Sequence, residues 1–132
     1  PPASDRISSK MIFAAVVYCL AALPPFLAQV CLVFGAPWGH LTMGGKWEGA
    51  LPPRIRPVAA VQATLLLCLM TIALDQGGVT DFGWPSWSLW PALALTYLTT
   101  LGNLATPSPR ERLYWGPLTL IMSGALSWIA FL

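Results

Sequence analysis

His40, the only histidine in the chain, and the carboxylates Glu48 and Glu111 are the side chains that could exchange a proton near neutral pH. Their spacing does not demand acid/base catalysis. A nucleophilic triad needs serine, histidine and carboxylate within mutual reach, yet no G-x-S-x-G elbow occurs, and Asp75 and Asp81 fall in a different connecting segment. A lone histidine excludes a bis-histidine haem or a His-rich zinc site within this chain. It leaves His40, beside Trp38, able to act as a single axial ligand to a pigment or haem, set against the commoner role of a hydrogen-bonding loop residue. Gly44, Gly45 and Lys46 pair glycine with lysine as a phosphate loop does, but without the spacing or the preceding strand, which removes nucleotide binding. What survives is a cationic set, Lys46, Arg54, Arg56, Arg110 and Arg112, able to contact an anionic lipid headgroup. Cys19, Cys31 and Cys68 lie in apolar stretches without metal-ligand spacing and read as small hydrophobes.

The elements that must position these groups are apolar. Of the 132 residues, 56% are hydrophobic and 9% charged, against about 25% charged in an ordinary soluble domain. A bilayer-spanning helix needs about 20 mostly apolar residues, and four stretches qualify: Met11 to Phe34, Pro57 to Leu74, Leu89 to Ala105 and Leu113 to Leu132. They contain no Asp, Glu, Lys, Arg or His. The expected fold is all-α, one transmembrane domain built as an antiparallel four-helix bundle. No soluble body follows the first stretch, so it reads as a retained span and not as a secretory signal. A net charge of +2, scattered along the chain, excludes a nucleic-acid partner.

Charge also suggests orientation. Arg6 and Lys10 precede the first span, while Lys46, Arg54, Arg56, Arg110 and Arg112 occupy the first and third connections; the second connection holds only Asp75 and Asp81. Cytoplasmic connections carry the excess of Lys and Arg, so the first and third are expected inside and both termini outside. Lys10 abuts the first span and pulls the other way.

Small residues at helical spacing mark the faces where membrane helices meet: Ala14, Tyr18, Ala21, Ala22 and Ala28; Ala60, Thr64, Cys68 and Thr71; Ala92, Thr96, Thr99 and Asn103; and Gly116, Thr119, Ser123, Ser127 and Ala130. Pro24 and Pro25 interrupt the first span in its middle and predict a kink. Ser108, Pro109 and Glu111 form a capping-box pattern that lets the fourth helix begin near Pro109. The seven tryptophans fall near helix ends, as an interfacial belt requires. Inside the spans the polar side chains are amides and hydroxyls, with no ionisable group to couple transport to protons, which argues against an ion-coupled carrier.

The first connection, GAPWGHLTMGGKWEGALPPRIR from Gly35 to Arg56, is long for a link between adjacent helices, and its glycines and prolines forbid regular structure over most of it. Rich in Trp, Met and Leu, it is expected to fold back onto the bundle end. Together with its exit into PVAAVQA and the later LTTLGNLATPSPRERLYWGPLTLI, it resembles a group of small bacterial four-helix integral membrane proteins of about this length that carry no assigned activity. The resemblance implies a Gly-rich loop after the first helix, here Gly35, Gly39, Gly44, Gly45, Pro52, Arg54 and Arg56, and an Asn-to-Glu-Arg turn, here Asn103, Glu111, Arg112 and Pro117. It assigns no role to His40 or Lys46.

These features suggest first a non-catalytic accessory subunit packed against other integral membrane subunits of a larger inner-membrane assembly, respiratory or photosynthetic. A second class is a binding or transport protein for membrane lipid or a small apolar molecule, gripping an anionic head with its loop cations. An enzyme acting through His40, Glu48 or Glu111 ranks third.

Overall fold

The computed structural model describes residues 3–131, with side chains from Ser8 onward; the side chain of Arg6 and residue Leu132 lie outside them. Four α-helices make up the fold: α1 Ala3–Val33, α2 Arg56–Gln76, α3 Leu89–Ala105 and α4 Pro109–Phe131. Strands are absent among the described residues. The bundle is all-α and antiparallel. α1 packs along both α2 and α4, α4 packs along α3, and a sparse seam between α2 and α3 closes the ring. Three helices, over Ser8–Val33, Arg56–Gln76 and Pro109–Phe131, are long and apolar enough to cross a membrane. At 17 residues, α3 extends about 25 Å at the α-helical rise, the short end of what spans a hydrocarbon slab.

Helix boundaries depart from expectation at the polar ends. α1 begins eight residues earlier than the expected Met11, at Ala3, because Ser-Asp-Arg-Ile-Ser-Ser-Lys can continue a helix into water once the apolar part nucleates it. α4 begins at Pro109, where the capping-box pattern put it and four residues ahead of the apolar stretch from Leu113, because proline at the first helical position sacrifices only an N–H with no helical partner. α1 runs through Pro24 and Pro25 as one assigned helix.

The core is made where small residues allow close approach. Ala14, Ala15, Tyr18, Ala21 and Ala22 on α1 meet Leu69, Ile72 and Ala73 on α2, Ala92 and Leu93 on α3, and Met122, Leu126 and Ile129 on α4. The small-residue face expected on α1 is buried throughout. On α2 the face is turned: Ala59, Ala63 and Ala73 are buried, while Thr64 is exposed and returns its hydroxyl to the Ala60 carbonyl at 2.9 Å. A hydroxyl satisfied by its own preceding turn needs no neighbour, so threonine does not mark an interface by itself. On α3 the buried threonines are Thr96 and Thr100, and Thr99 lies to one side, half-buried.

Polar side chains in the core are answered across helices. Thr96 donates to the Ala92 carbonyl at 2.8 Å, so the fully buried Tyr18 donates to Thr96 Oγ1, also at 2.8 Å. Thr100 reaches from α3 to the Thr119 carbonyl of α4 at 2.9 Å and meets Ser123 Oγ at 2.7 Å. At the end shared by the N-terminus and the second connection, Asp75 organises the chain, accepting from Thr80 Oγ1 at 2.6 Å and from the Phe82 and Trp84 amides at 2.9 Å each.

Gly77 sits where α2 ends against α1. A Cβ there would lie 2.5 Å from Ala15 Cβ and 2.9 Å from the Met11 carbonyl oxygen. Gly77→Ala is therefore expected to destabilise the bundle by about 1–3 kcal/mol, the usual cost of overpacking. Gly102→Ala and Gly124→Ala, where an added Cβ meets nothing within 4 Å, should instead stabilise by about 0.5–1 kcal/mol through helix propensity. Reversible unfolding in mixed micelles measures all three.

Candidate functional site

The first connection closes one end of the bundle as a roof. It holds two short 3-10 turns, Gly39–Leu41 and Met43–Gly45. Three successive residues, Met43, Gly44 and Gly45, have φ of 52, 73 and 75°, a left-handed run that two glycines make affordable. Gly39 touches backbone: its N–H donates to the Gly49 carbonyl at 2.8 Å, and a Cβ on it would stand 2.7 Å from that oxygen. Leu51 and Leu32 bury together against Ala59, anchoring the roof's exit.

Two side chains of α4 hold the roof down. Trp115 donates from its indole Nε1 to the Leu41 carbonyl at 2.6 Å. Glu111 is only 5% exposed; its Oε1 accepts the Gly44 N–H at 3.1 Å and its Oε2 accepts the Thr106 hydroxyl. A carboxylate in the first turn also meets the positive end of the helix dipole. The capping box is thus half formed. Ser108 Oγ accepts the Glu111 N–H at 3.4 Å and donates to the His40 carbonyl at 3.2 Å. Glu111 does not return the bond, because its oxygens are taken by the roof and by Thr106, and the Ser108 N–H goes to Thr106 Oγ1 at 3.3 Å. Glu111 stands in the first turn of α4, ahead of the uncharged stretch that begins at Leu113.

Beneath the roof lies a cavity of about 200 Å³ reached by all four helices. Its polar wall joins Gln29 of α1, Thr42 of the roof, Gln62 of α2, Asn103 of α3 and Glu111 of α4. Gln29 Nε2 donates to Thr42 Oγ1 at 3.5 Å, and Thr42 Oγ1 donates to Gln62 Oε1 at 3.4 Å. Gln29 Oε1 is buried without a partner. In the sequence the amides read only as polar side chains of the spans and Glu111 as part of a capping box. The available signal was that Gln29 and Gln62 each stand alone as the amide of an apolar span near the same membrane face.

The five cations gather at this same end. Lys46 Nζ and Arg54 Cζ lie 5.1 and 5.9 Å from the Trp47 ring centroid, both within cation–π distance of the indole. Arg56 donates from Nε to the Leu51 carbonyl at 3.0 Å, and Arg112 from Nη1 to the Thr106 carbonyl at 2.6 Å. Arg56 and Arg112 therefore brace the connections; Arg56 is half-buried, and Arg112 is exposed like Lys46, Arg54 and Arg110. The carbonyl bond also gives Arg112 an internal partner at a helix end where a cation is otherwise unfavourable. His40 is half-buried and opens on a shallow surface depression with Glu48, Ser108 and Arg110. No group of three metal-ligating side chains converges among the described residues.

No family model, curated protein or solved structure matches the chain.

Because Glu111 satisfies both the Gly44 amide and the Thr106 hydroxyl, Glu111→Ala should leave two buried donors unpaired and lower stability by about 1.5–3 kcal/mol, the range for hydrogen bonds to charged groups. The loss should appear as an earlier thermal unfolding transition. Glu48→Ala, on an exposed loop residue, should move that transition within the error of the measurement.

Proposed function

We propose that this chain is a non-catalytic binding protein of a bacterial inner membrane that engages anionic lipid headgroups through its roofed end. In this reading the roof faces the cytoplasm and both termini face the periplasm, following the concentration of Lys46, Arg54, Arg56, Arg110 and Arg112 on one side and of Asp75 and Asp81 on the other. The observation that carries it is Trp47 flanked by Lys46 and Arg54. An indole at headgroup depth with two cations beside it is the chemistry that phosphate-bearing lipids meet at a cytoplasmic leaflet. The arginines bonded to Leu51 and Thr106 brace the two connections that carry Lys46, Arg54 and Arg110.

An accessory subunit would place a partner on the exposed apolar helix faces, such as Leu98, Leu101 and Leu104 of α3. Lipid covers such faces equally well, so they do not favour a partner, whereas the grouped cations do favour an anionic head. The Trp residues at the other end, Trp84, Trp87 and Trp90, are exposed and suit the opposite interface.

In nanodiscs of mixed phosphatidylglycerol and phosphatidylcholine, native mass spectrometry should find phosphatidylglycerol retained preferentially. At about 1 kcal/mol per surface cation, the triple change Lys46→Ala, Arg54→Ala and Arg110→Ala should lower that preference about a hundredfold. These three residues brace no described backbone, so the fold should persist. Equal retention by the parent chain and the triple variant would contradict the proposal.

A further inference from the structure

The cavity under the roof is separate from the basic surface and has its own chemistry. Its volume, about 200 Å³, exceeds the roughly 150 Å³ that accommodates benzene in an apolar engineered cavity. Much of the wall is hydrocarbon, from Met43, Leu66 and Leu95 among others. The polar part is unfinished. Gln29 Oε1 is buried without a donor, and exchanging the amide's oxygen and nitrogen only exchanges an orphan acceptor for an orphan donor, because Thr42 has a single hydroxyl proton and gives it to Gln62. Glu111 spends one bond on each oxygen, about half of a carboxylate's accepting capacity. A buried amide atom left unpaired is destabilising, and a guest of matching polarity would relieve that cost. The adjoining α2–α3 seam is the most thinly packed wall of the bundle.

We infer that this cavity is a binding site for a small neutral amphiphile: an apolar body about the size of one aromatic ring, carrying one hydroxyl that donates to Gln29 Oε1, or a carboxamide whose two N–H protons serve Gln29 and Glu111. The guest enters from the membrane through the α2–α3 seam. A carboxylate-bearing guest is rejected, since it would meet Glu111.

The test uses the whole chain in detergent micelles with its four methionines labelled at the methyl carbon and observed by NMR. Met43 lines the cavity, while Met11 lies near the other end beside Gly77 and reports partition of the probe into the micelle. Benzyl alcohol should shift the Met43 signal saturably and the Met11 signal only in proportion to added probe. Benzoate should give no saturable shift. Gln29→Leu should weaken benzyl alcohol binding about tenfold while binding toluene at least as well as the parent chain, which separates a lost polar contact from a collapsed cavity. A Met43 response that merely tracks Met11, as expected if only water occupies the space, would overturn the inference. Saturable benzoate binding, or unchanged benzyl alcohol affinity in Gln29→Leu, would do the same.

Discussion

Hydrocarbon offers no hydrogen-bond partners, so each polar group drawn into the spans of this chain must be answered by the chain itself. That constraint accounts for most of the specific contacts in the bundle. Thr64, Thr96, Thr99 and Thr119 return their hydroxyls to carbonyls of the preceding turn. Tyr18 reaches Thr96, and Thr100 crosses from α3 to the Thr119 carbonyl and Ser123. With those demands met locally, the apolar surface can be ordinary, and the helices associate through close packing of alanines and glycines instead of through exclusion from water.

The same constraint explains why so short a chain devotes so long a connection to one end. Between α1 and α2 the backbone must turn back at the membrane surface without leaving its amides unpaired. It does so by using Glu111 and Trp115 of α4 as external partners for Gly44 and Leu41. The roof then covers a space lined by groups from every helix. At the opposite end a single carboxylate, Asp75, performs the corresponding task for the second connection. The two ends differ in charge as well as in architecture: cations cluster around the roof and acids around the other turn.

Much of this was legible in the residue order. The four helices follow from hydrophobic length alone, and the α3 bounds, Leu89 to Ala105, coincide with expectation. The α1 face was legible because alanines and Tyr18 recur at helical spacing beside bulky Leu and Phe. The α2 face was not, because Thr64 and Thr71 look like packing residues in sequence, yet their hydroxyls close on Ala60 and Cys68 within their own helix. Glu111 was read as part of a local cap. Its pairing with Gly44, 67 residues earlier, depends on two connections lying side by side, which no local pattern encodes. The cavity escaped for the same reason, since Gln29, Gln62 and Asn103 meet only once the ring of helices has closed.

The central claim is that the first connection is a docked roof held by α4 and not a solvated loop. Hydrogen–deuterium exchange of its backbone amides, with the chain in lipid nanodiscs, tests this most directly. Docking predicts that Gly39, Gly44 and Gly45, whose N–H groups donate to the Gly49 carbonyl, Glu111 and the Thr42 carbonyl, exchange as slowly as amides near the helix ends. Exchange of all three at the rate of an unstructured peptide would contradict it.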